Sequence, residues 1–136
     1  MPTTRNLKSV DIVAFDEGLS EFAFIQVKST DRPKAGWPVH TVRESEDWQE
    51  EVKAALSLGS RFFYIFVALP SRSQPEPRFY VVPSAKVARM VVADFTLYLQ
   101  EHPRSKAKGQ LLAWCFGGVP KPVEEEFAAR WDLLGI

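Results

Sequence analysis

The sequence lacks several features that identify common classes of protein. Cysteine occurs once, at Cys115, so no internal disulfide can form, and one free thiol suits a reducing compartment. No apolar run approaches the roughly 20 residues that a membrane helix needs, and the first residues lack the apolar segment of a secretory signal. Gly-rich phosphate loops, Cys/His metal clusters and internal repeats are also missing. We therefore expect a cytoplasmic protein with no membrane partner.

The sequence also has no excess of either charge. Its 17 basic and 17 acidic residues cancel, which argues against a strong non-specific binder of nucleic acid. Hydrophobic residues make up 46% of the 136 positions, enough for a packed core. We expect a single globular domain over residues 1–136.

Two apolar runs of strand length stand out, at residues 9–15 and 21–28. A short polar gap containing Gly18 separates them, and such a gap between β-rich runs predicts a hairpin. We take the register in which Phe15 pairs with Phe22. Both strands are otherwise apolar, so they should lie largely inside the protein.

That register places an acid, an amide and a lysine on one face of the hairpin. Asp11 lies opposite Gln26, and Lys28 follows two residues later on the same side. Directly opposed residues have Cβ atoms about 5 Å apart, close enough to share a metal ion or a phosphate. A structural interpretation is a salt bridge between Asp11 and Lys28, with Gln26 as a hydrogen-bonded spacer. The functional interpretation is a binding or catalytic site.

The order of these residues resembles the PD-(D/E)xK nuclease superfamily, also called restriction-endonuclease-like. An Asp strand, a hairpin and then Ile-Gln-Val-Lys-Ser-Thr at residues 25–30 are similar to its QxK variant. The resemblance implies that Asp11 and Gln26 bind a divalent metal, Mg²⁺ or Mn²⁺. It further implies that Lys28 positions or activates the attacking water and stabilises charge on the phosphate. The expected activity is metal-dependent endonucleolytic hydrolysis of DNA phosphodiester bonds, with these three residues as the catalytic set.

The resemblance leaves a second function open. Many members of the superfamily add a Glu from a helix before the Asp strand, whereas ten residues precede Asp11 here, so we expect an N-terminally shortened relative. The alternative is a catalytically inactive relative that binds nucleic acid or a protein partner, including a second copy of itself. Four basic residues around the hairpin are candidate nucleic-acid contacts: Arg5, Lys8, Arg32 and Lys34.

Residues 29–40 contain two prolines and a glycine and are predicted to form a loop. Trp37 in this loop either stacks on a base or covers the edge of the core. His40 is either a general base or metal ligand, or a side chain at the rim of the core.

The remaining pattern gives the fold class. A helix is expected from Thr41 or Ser45 to about Leu58, one over residues 85–100 with Ser84 as N-cap, and one from Pro122 to Leu134. Strands are expected at residues 61–69, 78–82 and 110–116. This order predicts an α/β or α+β domain, with a mixed central sheet of about five strands flanked by helices. It is compatible with a restriction-endonuclease-like core.

Overall fold

The computed structural model of the protein describes residues 10–43, 47–101, 110–115 and 117–136. Within these ranges, no helix combines the length and the apolar character needed to cross a membrane. The elements in chain order are β1 (Ile12–Phe15), β2 (Phe22–Thr30), β3 (Trp37–Arg43), α1 (Trp48–Leu56), β4 (Phe62–Ala68), β5 (Arg78–Pro83), α2 (Ser84–Glu101), β6 (Gln110–Cys115), α3 (Lys121–Phe127) and a 3₁₀ turn (Trp131–Leu134).

The central sheet is mixed and, within the described ranges, has four strands in the order β1-β2-β4-β5. β2 runs parallel to β4, and the two outer pairings are antiparallel. β4 is buried along almost its whole length, as its unbroken apolar sequence predicts for a central strand. The predicted α+β class with a mixed sheet flanked by helices is confirmed, but the sheet has four strands rather than about five.

The last predicted strand joins a different sheet. β6 pairs antiparallel with β3 to form a separate two-stranded sheet. The predicted loop over residues 29–40 is wrong at both ends, because β2 continues to Thr30 and β3 begins at Trp37. The fully buried Trp37 anchors β3: its indole N–H donates to the carbonyl of Val67 at 3.0 Å, and its ring packs edge-on against Phe66. This burial stabilises an extended segment despite its prolines.

The first helix starts later than predicted. Thr41 lies in β3, so its proposed capping role is wrong, and Ser45 lies outside the described residues. α1 begins at Trp48 and ends two residues earlier than predicted. Its buried face carries Val52 and Leu56, one turn apart, which matches the predicted helical spacing.

The predicted helix over residues 85–100 is confirmed as α2. Ser84, expected to cap this helix, uses its buried hydroxyl on the chain before β4 instead. It accepts the N–H of Leu58 and donates to the carbonyl of Gly59, both at 3.1 Å. Gly59 has a φ of 129°, a conformation that other residues rarely adopt. The start of α2 is thereby tied to the end of the α1–β4 connection.

The prediction of a single helix from Pro122 to Leu134 is wrong, because the helical structure is interrupted within this range. α3 ends at Phe127, and Ala129 has a positive φ of 52°. The backbone after α3 bonds to β5, and the 3₁₀ turn follows. Gly135 ends that turn in the left-handed conformation, which glycine adopts readily.

The two faces of the central sheet are covered differently. The helix-covered face carries the larger apolar cluster, which packs under α1, α2, α3 and β3. The turn-covered face carries a smaller cluster: Ala23, Ile25, Phe63, Ile65, Val81 and Leu134. Because strand side chains alternate, the even-numbered residues of β2 and β4 point to the helix-covered face and the odd-numbered ones to the turn-covered face.

Candidate functional site

The hairpin forms in the predicted register. Phe15 pairs with Phe22 and Val13 with Phe24. Asp16 organises the turn, since its carboxylate accepts the N–H of Glu21 at 3.0 Å and a serine hydroxyl at 2.6 Å. These hydrogen bonds, the one from the Glu21 backbone first, hold the pKa of Asp16 below its usual range. The register needed for the candidate site is therefore fixed by local chemistry at the turn.

Asp11 lies just before β1, outside the strand pairing that begins at Ile12 and Ile25. Its N–H donates to the carbonyl of Ile25 at 2.8 Å, and its Oδ2 accepts the N–H of Val27 at 2.7 Å. Asp11 is therefore bound to the backbone of β2 on both sides of Gln26. The carboxylate is exposed, and one of its oxygens completes the edge of the sheet.

Gln26 and Lys28 lie on the helix-covered face of β2. In the parallel pairing, Gln26 is beside Tyr64 and Lys28 is beside Phe66. Both side chains are half-buried. The structure thus binds an exposed carboxylate to the strand segment that carries a half-buried amide, with a half-buried ammonium two residues further along the same strand.

The salt bridge between Asp11 and Lys28 does not form. Lys28 makes no ion pair with any described residue, and the Asp11 carboxylate is bound to backbone instead. The structural interpretation of this pair is therefore wrong. A long side chain of this kind can bury its stem while its charged end stays available to an anion.

The other sequence candidates, Trp37 and His40, lie in β3. Trp37 is fully buried in the core, so the interpretation as a core residue is confirmed and base stacking is excluded. His40 is half-buried in β3, beside an irregularity in its pairing with β6. Among the residues that the structure describes, no group of three or more His, Cys, Asp or Glu could hold a metal.

The four candidate nucleic-acid contacts divide into two pairs. Arg32 and Lys34 are exposed in the loop that follows β2, as predicted. Arg5 and Lys8 lie outside the described residues. Lys34 also lines a cavity that the sequence analysis did not identify.

That cavity has a volume of about 480 Å³ and lies where the β2–β3 loop, the carboxyl end of β4, the start of β5 and α3 meet. Tyr80 lines it and donates its hydroxyl to Oε2 of Glu124 at 2.7 Å. Burial first, and then this hydrogen bond, raises the pKa of Tyr80 to about 12. Arg78 also lines the cavity and binds Gln74 at 2.9 Å. No local motif could have revealed this arrangement, because its residues are separated by up to 93 positions in sequence, from Asp31 to Glu124.

Comparisons of this chain with protein-family models, with curated proteins and with solved structures find no match.

Proposed function

We propose that this chain is a metal-dependent endonuclease-like protein that acts on DNA phosphodiester bonds in the reducing cytoplasm, a compartment that its single cysteine suits. The observation that carries the proposal is the hairpin, in which Asp11 binds the backbone of β2 on both sides of Gln26 and Lys28 follows on the same strand. This is the residue order expected from the resemblance to the QxK nucleases. Lys28, without an ion-pair partner among the described residues, adds a cation on that face.

Lys28 is the residue that would receive the phosphate. Its ammonium is a compact positive charge, and its half-burial beside Phe66 lowers the local dielectric. A charge in such a setting stabilises the developing negative charge on a phosphate more strongly than one in bulk water. It would also orient the attacking water through a hydrogen bond.

Asp11 and Gln26 would hold the metal. Mg²⁺ takes oxygen ligands, commonly one or two carboxylates with waters and substrate phosphate completing an octahedron. The donor set fits that preference: one oxygen of Asp11 is bound to backbone, which leaves Oδ1 and the amide oxygen of Gln26 as donors. When bound, such an ion supplies Lewis-acid chemistry at the phosphate.

The cleavage test compares wild type with Asp11→Asn and Lys28→Met on supercoiled and linear DNA with millimolar Mg²⁺ or Mn²⁺. Asn keeps an acceptor for the Val27 N–H while removing the charge, and Met keeps the shape of the lysine stem, so both variants should fold. We expect each to lose at least 100-fold in cleavage rate. Lys53→Met, at an exposed position on α1, is the matched control and should cleave normally. A wild type that neither cleaves DNA nor binds metal contradicts the enzymatic proposal.

Gln26→Glu provides a separate test of the metal site. If Gln26 faces the same ion as Asp11, a second carboxylate should tighten Mn²⁺ binding by about tenfold or more, because hard cations prefer charged oxygen. Titration calorimetry with Mn²⁺ measures this directly. If Gln26 is only a structural spacer, the substitution will lower stability without changing the affinity for the ion.

A second candidate is a catalytically inactive relative that binds nucleic acid. The observation that favours it is the use of one Asp11 oxygen on the backbone, in a chain whose described residues contain no acidic or His cluster. One carboxylate and one amide make a weak metal site. This candidate predicts a gel shift that weakens with salt and is unchanged by a chelator, together with no cleavage at any metal concentration.

A further inference from the structure

The cavity is lined by residues of the sheet row that contains Lys28 and of the next row on the same face. Lys28, Phe66 and Tyr80 form one row across β2, β4 and β5, and Thr30, Ala68 and Arg78 form the row two residues further on. Because successive residues on one strand face are about 6.6 Å apart, the two rows are close neighbours on the helix-covered face. Tyr80, Ala68 and Arg78 all line the cavity.

The charges of the cavity favour an anion. Three cationic side chains line it, Lys34, Arg78 and Lys121, against the carboxylates of Asp31 and Glu124. Glu124 is already bound by a tyrosine hydroxyl. The cations come from three different elements and converge only in the folded chain, so the positive charge at this place is a property of the tertiary structure.

One wall of the cavity is apolar and has a strained backbone. Pro33, Leu69 and Val119 line it. Val119 has a φ of 44° directly after Gly118 at 73°, and a β-branched residue in the left-handed region is a genuine outlier. The N–H of Gly118 donates to the carbonyl of Pro33 at 3.1 Å, which holds the two segments of the wall together. Strained backbone of this kind persists where the surrounding structure enforces it, and it is concentrated at ligand sites.

We propose that this cavity binds one nucleotide unit of a nucleic-acid strand. The phosphate would lie near Arg78, Lys34 and Lys121, and the base would lie against the apolar wall formed by Pro33, Leu69 and Val119. The choice of ligand rests on the proposed function, because Lys28 and the cavity-lining Arg78 lie in neighbouring rows on one face of the same sheet. The volume lies within the range of 300–1,000 Å³ that is typical of sites for small molecules.

The test measures binding of thymidine 5′-monophosphate, thymidine and inorganic phosphate by titration calorimetry, in the absence of metal. We expect the monophosphate to bind at least tenfold more tightly than either part alone, because it uses the cations and the apolar wall together. Arg78→Gln should weaken its binding at least tenfold. Arg72→Gln, an exposed arginine in the same β4–β5 connection that does not line the cavity, should not. Lys121→Gln gives a second variant if the first fails to fold.

A short oligothymidylate distinguishes a nucleotide that is part of a strand from a free nucleotide as the ligand of the cavity. If the cavity serves a strand, the oligonucleotide should bind at least as tightly as the free monophosphate and should lose affinity in Arg78→Gln. Free monophosphate that binds while the oligonucleotide does not would overturn the strand proposal. Equal binding of phosphate and monophosphate, or equal behaviour of the Arg78 and Arg72 variants, would overturn the nucleotide site altogether.

Failure of the cavity proposal can be told apart from failure of the nuclease proposal. Lys28→Met should lose cleavage and keep monophosphate binding, because Lys28 does not line the cavity. DNA cleavage by wild type with no effect of Arg78→Gln on oligonucleotide affinity would remove only the cavity inference. Monophosphate binding without any cleavage or metal binding would remove only the catalytic proposal.

Discussion

Arg61 connects three parts of the chain through one side chain. Its Nε–H donates to the carbonyl of Phe22 at 2.7 Å, and its Nη2–H donates to the carbonyl of Leu134 at 2.6 Å. The guanidinium also lies 5.8 Å from the centre of the Phe63 ring. Only a planar group with several fixed donors can make these contacts at once. Arg61 thus holds the C-terminal turn against the start of β2.

Arg61→Lys should lower the free energy of unfolding by about 1.5–3 kcal/mol, because an ammonium can replace at most one of the two hydrogen bonds. Urea denaturation measures the change. Arg89→Lys, at an exposed position on α2, is the matched control and should stay within about 0.5 kcal/mol of wild type. An equal loss in both variants would contradict the role given to Arg61.

Tyr64 couples stability to alkaline pH. Its buried hydroxyl donates to the carbonyl of Leu56 at 3.1 Å, and burial raises its pKa from 10.0 to about 12. A tyrosine whose pKa is higher in the folded state than in the unfolded state contributes to the free energy of unfolding. That contribution is fully present below the pKa of the unfolded state and is lost as the pH rises towards the pKa of the folded state. Wild type should therefore lose stability between about pH 10 and pH 12.

Tyr64→Phe should be less stable than wild type at pH 8 by about 1–3 kcal/mol, because the Leu56 carbonyl loses its buried partner. The variant should also lose less stability than wild type between pH 10 and pH 12. Urea denaturation at several pH values measures both. If the free energy of unfolding of wild type and of Tyr64→Phe fell in parallel between pH 10 and pH 12, Tyr64 would not be the group that couples stability to pH.

At the scale of elements, the hairpin turn contains a residue whose backbone conformation lowers stability and whose side chain packs little in return. Leu19 has a φ of 56° and is 72% exposed, so its side chain contributes little packing while its backbone is in the left-handed region. Asn tolerates this region far better than Leu because its short polar side chain can bond locally. The turn is otherwise held by the hydrogen bonds of Asp16.

Leu19→Asn should raise the free energy of unfolding by about 1 kcal/mol and leave the hairpin register unchanged. Thermal unfolding followed by circular dichroism measures the gain. Leu97→Asn, also exposed but inside α2, is the control and should lower stability because Asn is a poorer helix former than Leu. A loss of stability in both variants would show that Leu19 packs in solution.

At the scale of the whole molecule, the two faces of the sheet are protected unequally. The helix-covered face packs under three helices and β3, whereas the turn-covered face depends on the short C-terminal segment. Leu134 is 6% exposed and belongs to the smaller cluster, and Trp131 packs against Phe79 at 5.5 Å between ring centres. Among the residues that the structure describes, the apolar surface beneath this segment therefore has little other cover.

Leu134→Ala should cost about 2–5 kcal/mol and increase binding of a dye that detects apolar surface, since the sheet beneath would be uncovered. Leu97→Ala, with its side chain in solvent, should do neither. Urea denaturation and dye fluorescence measure the two effects. Loss of stability without new dye binding would mean that the rest of the turn still covers the face.

The sequence alone determined the features that depend on neighbouring residues. Alternation and the Gly-containing gap predicted the hairpin and its register, in which Phe15 pairs with Phe22 and Val13 with Phe24. The unbroken apolar run predicted β4, and helical spacing predicted α2. These elements follow from backbone chemistry and local periodicity, which the chain carries wherever it folds.

Only the tertiary structure decided which strand pairs with which and what the side chains meet. β3 forms because Trp37 is buried against β4, and β6 then has a partner outside the central sheet. The Asp11 carboxylate binds the backbone of Val27 rather than Lys28, and cations from three elements meet at one cavity. Such contacts join residues that are distant in sequence, so their energies depend on packing that no local pattern contains.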